Sequence, residues 1–269
     1  MFENPKGWRR VPPGGRGMLV TVAAAASLCC VAAVANADDA SAILKSMSSY
    51  VASQKTISLT FDSSVEVVTP EVEKIQFASS GQLLLSRPDK LRATRTGGYA
   101  DVQLVSDGKT VTLYGKNLNS YAQADAPSSI DQLVDLMRTK LNVEIPGADL
   151  LLADSYAALN SEVIEAKHIG QGVVDGVECE HLAFRNEETD WQLWVEVGPQ
   201  PIPHKYVITS KAVGGAPQYT LVIRNWKTDV QPPADAFAFK PDGEAKKIDV
   251  TALGDLDEIP LGTPKGGKK

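Results

Sequence analysis

Cysteine, histidine and positive charge are all scarce in this chain of 269 residues. There are three cysteines and three histidines, and 27 Lys and Arg stand against 33 Asp and Glu, a formal charge of −6. Two of the cysteines, Cys29 and Cys30, lie in an N-terminal apolar run. With that run removed only Cys179 remains, which excludes an intrachain disulfide, so the fold must be held by its core. The acidic balance argues against a nucleic-acid partner, which would need Lys and Arg to neutralise phosphates. Long apolar segments are missing beyond the N-terminal run, so no other stretch is long enough to span a bilayer. No cofactor motif stands out, none is expected, and the sequence announces no reaction.

The N-terminus reads as a secretory signal. A basic region ends at Arg16, an apolar run extends from Met18 to Val34, and Ala35-Asn36-Ala37 forms a small-x-small cleavage pattern ahead of Asp38. An uncleaved anchor is the alternative, and Met18 is a second candidate start. Arg9-Arg10 followed by Val11-Pro12-Pro13 makes a poor twin-arginine signal. Cys29 and Cys30 lack the small residue that lipidation signals place before the cysteine. The expected organisation is a signal peptide over 1–37, one β-rich domain over 38–240 and a mobile tail over 241–269, in a soluble protein of the periplasm.

Within the domain the hydrophobic period changes several times. From Asp38 to Gln54, Ile43, Leu44, Met47, Tyr50 and Val51 recur at helical spacing. From Thr56 to Gly115 the period is two: Ile57, Leu59 and Phe61, then Leu83 and Leu85, then Val102 and Leu104, then Val111 and Leu113 around Asp107-Gly108. Such a turn calls for positive φ at both central residues. Pro127-Ser128-Ser129 precedes Ile130, Leu133, Val134, Leu136 and Met137, a helix that Ser128 or Ser129 can cap. Pro146-Gly147 ends it, and Ala148 to Ala153 reads as a second short helix. Strands resume at Glu162 and turn at Asp175-Gly176. Trp191, Leu193, Val195 and Val197 are expected on one face of the following strand. Lys205–Lys211 and Gln218–Trp226 form a further pair, and Asp235–Phe239 a last short segment. Helix, strands, helices, strands with no linker between halves implies an α+β fold, a single curved antiparallel sheet with helices on one side.

Particular motifs carry a resemblance. Gly81 to Arg92, with Arg87-Pro88 at its turn, followed by Ser106-Asp107-Gly108-Lys109, resembles the lipoprotein carriers LolA and LolB. Asp175 to Arg185, Asp190 to Val195 and Pro201-Ile202-Pro203-His204-Lys205 look closer still to an uncharacterised family of predicted periplasmic proteins allied to that fold. The likeness covers roughly Ile43 to Phe239. It implies a strongly bent, unclosed antiparallel half-barrel whose helices plug the concave side and leave an apolar cavity for acyl chains. It also implies that the arginine of the Arg-Pro motif, here Arg87, holds the helical lid.

The candidate ligand-binding residues are therefore Leu83, Leu85, Val102, Leu104, Leu133, Leu136, Met137, Trp191 and Leu193, with Arg87 as lid holder. Cys179 and His181 share a strand face and suit zinc chemically, but no third ligand stands at recognisable spacing, so packing is the preferred reading and no metal is expected. Glu187, Glu188 and Asp190 read as a solvated hairpin tip rather than a catalytic acid pair. The expected role is a non-enzymatic binding or carrier protein. Its partner is a lipid or the acyl chain of a lipoprotein. A regulatory or structural role with an envelope protein partner and no lipid cargo is the alternative.

Overall fold

The structure is a computed structural model that describes residues 37–249 except 100, 142, 144 and 242. The expected signal segment, apart from its last residue, and most of the expected tail lie outside the described residues. The described residues open with helix α1 (Ala37–Ser53) and continue through six strands: β1 (Thr56–Val68), β2 (Lys74–Ser86), β3 (Lys90–Gly97), β4 (Asp101–Asp107), β5 (Thr110–Gly115) and β6 (Ser120–Asp125). Helix α2 (Ile130–Thr139), a 3₁₀ turn (Ala148–Leu151) and helix α3 (Ser155–Asn160) follow. Five more strands complete the main body: β7 (Glu165–Val174), β8 (Val177–Arg185), β9 (Thr189–Glu196), β10 (Pro203–Ser210) and β11 (Gln218–Thr228). A two-residue β12 (Lys246–Lys247) ends the described chain.

All twelve strands join one open sheet in the order β12-β6-β5-β4-β3-β2-β1-β11-β10-β9-β8-β7. Every pairing is antiparallel except that of β12 with β6. The two runs of hairpins meet where β1 pairs with β11, about 160 residues away along the chain, with Phe61 opposite Ile223 and Ser63 opposite Leu221. This is the unclosed half-barrel of the α+β expectation, with the helices on its concave face.

Local chemistry explains the elements. α1 buries Ala40, Leu44, Met47 and Val51, each fully inaccessible, at the i, i+4, i+7, i+11 positions of one stripe. α2 starts at Ser129, extended at φ −150°, whose hydroxyl accepts a hydrogen bond from the Gln132 amide at 3.2 Å. Asp131 in its first turn and Arg138 in its last complement the helix dipole. At the β7–β8 turn Asp175 and Gly176 both take positive φ, 49° and 83°, as a two-residue hairpin of the primed type requires.

Several expectations are corrected. At the β4–β5 turn only Gly108 has positive φ, because Asp107 stays in the strand and its carboxylate accepts from the Lys109 and Thr110 amides at 2.8 and 2.7 Å. The loop is Gly108-Lys109, with glycine at the first central position. The helix expected over Ala148–Ala153 is a single 3₁₀ turn. Val197 does not share the buried face of Trp191, Leu193 and Val195: it lies past the end of β9, 40% exposed. Asp235–Phe239 forms turns rather than a strand. Arg92 holds them by donating to the Ala236 and Ala238 carbonyls at 2.8 and 3.3 Å, and the Phe239 ring packs against Tyr114 and Tyr121. Beyond Pro241 the Lys246 and Ile248 amides bond to the Asn119 and Tyr121 carbonyls, which ties the chain to the sheet through residue 248.

Candidate functional site

Strand register sets the floor of the site. Paired residues on adjacent strands share a face, so Leu59, Leu83, Ala93, Leu104 and Leu113 form one apolar row across β1–β5. The next row on the same face is Phe61, Gly81, Arg95 and Val102. The Phe61 ring fills the space above Gly81: a Cβ added there would lie 2.2 Å from Phe61 Cζ and from the Thr94 carbonyl. A third row brings Ser63 to Ser79, with their buried hydroxyls 2.8 Å apart. β11 adds Ile223, Leu221 and Tyr219 beside β1. Along the strands the floor thus changes from aliphatic to polar.

The roof is α2 and the segment after it. Ile130, Leu133, Val134 and Met137 point from α2 toward the floor. α2 and the 3₁₀ turn are tied into one unit. The Arg138 guanidinium meets the Asp149 carboxylate in a two-pronged pair at 2.8 and 3.0 Å, and the Asp131 carboxylate accepts from the Ala153 amide at 3.1 Å.

That unit is fixed to the sheet at the β2–β3 turn. The Pro88 carbonyl accepts from the first amide of α2, Ile130 N, at 2.8 Å. Arg87 Nη2 donates to the Leu151 carbonyl at 2.7 Å, and Arg87 Nε to the Gln54 carbonyl at 3.2 Å. Arg87 therefore links the residue that follows α1, the turn between two strands and the 3₁₀ turn of the roof. Burial lowers its pKa, partly opposed by the negative charge of Asp131. At the other end Tyr219 Oη donates to the Pro146 carbonyl at 3.4 Å, and Gly147, at φ 87°, lies against Leu221. Burial pushes the Tyr219 phenol up to about 12, so it stays protonated.

Floor and roof flank a cavity of about 160 Å³, partly open to solvent and measured to the centres of a water-sized sphere. One water needs roughly 10–15 Å³ on that measure, so the space holds on the order of ten water-sized groups. Its lining is aliphatic and aromatic apart from Thr94, Arg95 and Tyr219. A space so lined gains nothing from water and favours hydrocarbon.

The sequence-based candidates divide. Leu83, Val102, Leu104, Leu133 and Met137 all line the cavity. Leu85, Leu136, Trp191 and Leu193 do not. Leu85 is fully buried in the continuous core one row away, and Leu136 packs half-buried on the core from the flank of α2. Trp191 and Leu193 belong to the other half of the sheet. There the Trp191 ring stacks on Phe184 at 3.9 Å and meets Tyr206 edge-on, its indole N–H bonds Asn186, and Leu193 pairs with Leu182. α1 covers that half. Arg95, Phe61, Ala93, Tyr219, Leu221 and Trp226 line the cavity without having been singled out. Ala93 and Arg95 follow from register once Leu83 and Leu104 are placed. The β11 residues depend on a long-range pairing that no local pattern signals.

The other candidates stay apart from the cavity. Cys179 is fully buried, and burial together with the nearby Glu196 carboxylate pushes its thiol up to about 11. The His181 ring stacks on Trp194 at 4.1 Å and bonds Gln192. Among the described residues no three His, Cys, Asp or Glu side chains gather in a metal-binding group. Glu187 and Glu188 are exposed at a hairpin tip, where Asp190 pairs with Lys211 at 2.9 Å.

Comparison with solved structures finds several proteins of similar architecture. An uncharacterised conserved protein from Thermus thermophilus is 12% identical at TM-score 0.48, covering 78% of this chain and 99% of that one. The lipoprotein LppX of Mycobacterium tuberculosis is 10% identical at TM-score 0.44, covering 73% and 99%. A LolA superfamily protein from Nitrosomonas europaea is 10% identical at TM-score 0.33, covering 74% and 97%. No curated protein matches the chain in sequence. A family model does match, over residues 40–251, which takes in most of α1, the whole described sheet and the roof of the cavity. The chain belongs to the family of predicted periplasmic proteins DUF2092.

Proposed function

We propose that this protein is a periplasmic binding or carrier protein, without catalytic activity, that holds an acyl chain or a similar apolar ligand between β1–β5 and α2. The observation that carries this reading is the cavity of about 160 Å³ with its aliphatic lining. Interiors are close-packed, and voids larger than a water are few in a domain. A hollow of this size under a short helix is a site whose packing a ligand completes. Arg87 is the lid holder in this reading: its bonds to the Leu151 and Gln54 carbonyls keep the roof seated. Roof and floor part about that anchor to admit the chain. A purely protein-binding role would instead suit a filled sheet with a bare apolar patch.

The test is purification from the native envelope without detergent, followed by native mass spectrometry and displacement of a fluorescent fatty acid. The expected results are a stoichiometric adduct that releases fatty acyl fragments, and saturable displacement by palmitate. A bare mass together with no fatty-acid binding overturns the reading.

A further inference from the structure

The floor of the cavity does not stop where its roof stops. β1 and β2 pair without a break from Thr56 opposite Ser86 to Val68 opposite Lys74, but their neighbours end sooner. β3 follows β2 only as far as Ser79, opposite Gly97, and β11 follows β1 only as far as Val65, opposite Tyr219. The last part of the hairpin therefore overhangs the sheet. Side chains alternate across a strand, so the face that carries Phe61 and Gly81, then Ser63 and Ser79, continues with Val65 opposite Phe77 and Val67 opposite Ile75. These side chains form an apolar strip in line with the cavity floor. Val65, Val67 and Phe77 are half-buried, and Ile75 is 43% exposed. From Ser63 to Val67 the strip adds about 13 Å at roughly 3.3 Å per residue.

The strip joins the cavity at its open end. Toward Arg87 the lining residues Leu91, Leu104, Ile130 and Leu151 are buried, while toward the hairpin Phe61, Pro146 and Tyr219 keep part of their surface exposed. Arg95 lines the cavity, its guanidinium lies 5.7 Å from the centre of the Tyr99 ring, and Tyr99 meets Phe77 edge-on at 5.4 Å, so one wall runs from the cavity to the strip. The polar row between them asks nothing of a ligand. The buried Ser63 and Ser79 hydroxyls bond each other at 2.8 Å, and the Tyr219 hydroxyl is given to the Pro146 carbonyl.

Resting on the reading that the cavity holds an acyl chain, we propose that the overhanging strip is an outer subsite for the same ligand. A chain too long for the hollow crosses the serine row and lies along Val65, Phe77, Val67 and Ile75. The continuity of the floor selects hydrocarbon as the occupant. Contact removes apolar surface of both chain and strip from water, and hydroxyls already paired lose no partner when a chain passes over them. The hairpin tip carries exposed Glu71 and Glu73, which oppose approach to an anionic bilayer. The ligand class is therefore a long-chain acyl group, and the protein discriminates by chain length.

The test measures laurate, palmitate and arachidate by displacement of a fluorescent fatty acid from the whole chain and from Ile75→Ser and Phe77→Ser. Both variants are expected to bind laurate within twofold of wild type and arachidate at least fivefold more weakly, with palmitate between. Unchanged laurate binding also reports that a variant is folded, and Ile75→Ser, near the exposed tip, carries the test alone if Phe77→Ser unfolds the hairpin. Equal weakening of laurate and arachidate, or weakening of neither, overturns the outer subsite and leaves the cavity reading standing. So does self-association in sedimentation, or flotation with vesicles of phosphatidylethanolamine and phosphatidylglycerol, that Ile75→Ser abolishes while its chain-length profile stays that of wild type. The strip would then serve a second copy or a membrane. Failure of wild type to bind any of the three acids overturns both readings together.

Discussion

The two halves of the sheet carry helices on the same face, and the hollow lies under one of them. Over β7–β9, α1 lays four fully buried side chains into the same core as Leu182, Leu193, Val195 and the stacked Phe184–Trp191 pair. Over β1–β5, α2 presents Leu133 and Met137 to a hollow of about 160 Å³. The cause is width. Three strands span two gaps, roughly 10 Å at about 4.8 Å each, close to the diameter of a helix with its side chains. Five strands span four gaps, roughly 19 Å. A single ten-residue helix and one 3₁₀ turn cannot cover that breadth. The half under the 17-residue helix carries the stacked aromatics; the half under the short roof carries the hollow, which in the proposed reading a ligand completes.

The comparison breaks most visibly under matched truncations. Leu193→Ala removes a fully buried side chain from the packed half and leaves a new cavity, so it should cost about 2–5 kcal/mol. Leu83→Ala removes a half-buried side chain that already faces open space. It creates no new void and should cost roughly 1–1.5 kcal/mol, the transfer contribution of a partly buried leucine. Urea unfolding of both variants measures this. Equal losses would mean that the two halves are packed alike.

Matched enlargements should act in opposite senses. Ala166→Phe places a ring where β7 already packs on Phe184, and overpacking there should destabilise by about 1–3 kcal/mol. Ala93→Phe puts the same ring into the hollow. Stability should hold or rise, while fatty-acid affinity falls at least tenfold, about 1.4 kcal/mol. Thermal unfolding and probe displacement on the same two proteins decide it. An Ala93→Phe variant that binds as wild type does would place the ligand elsewhere.

The same contrast explains what could be read before any coordinates. α1, α2 with its Ser129 cap and the Asp175-Gly176 hairpin rest on local chemistry, and a single sequence displays local chemistry. β6 escaped because Tyr121-Ala122-Gln123-Ala124 carries too little apolar weight to show a period of two, and α3 because six residues make less than two helical turns. Trp191 and Leu193 were assigned to the ligand beside Leu83 and Leu104 because alternation shows which face a residue occupies, not whether the space above that face is full. That distinction depends on how many strands lie under each helix. It also depends on β1 meeting β11, a pairing across most of the chain. Arg95 sat in view as a charge on an otherwise inward-facing position, and only the register of β2 to β4 turns it into a residue of the cavity wall.

Arg87 tests the boundary between the halves, since it bonds both the residue that follows α1 and the roof. Arg87→Leu leaves the Leu151 carbonyl without that donor while preserving much of the side chain's bulk. Loss of about 1 kcal/mol of stability is expected, with severalfold faster release of bound fatty acid, read by stopped-flow displacement. Unaltered release kinetics would remove Arg87 from the gating of the cavity.

A pH dependence sharpens the comparison from the packed side. Cys179 is fully buried in the half that α1 covers, and its thiol ionises only at about 11, against about 8.5 for an unfolded cysteine. Between those values the folded chain keeps a proton that the unfolded chain has released. The associated stability is therefore complete below about 8.5 and declines as pH rises toward about 11. Cys179→Ala lacks this dependence. Its stability deficit relative to wild type should shrink between pH 7 and pH 10 in urea titrations, and the wild-type thiol should resist labelling at neutral pH. Rapid labelling, or a deficit constant across that range, would mean that water reaches β8, and the packed half would then be looser than its stacked aromatics imply.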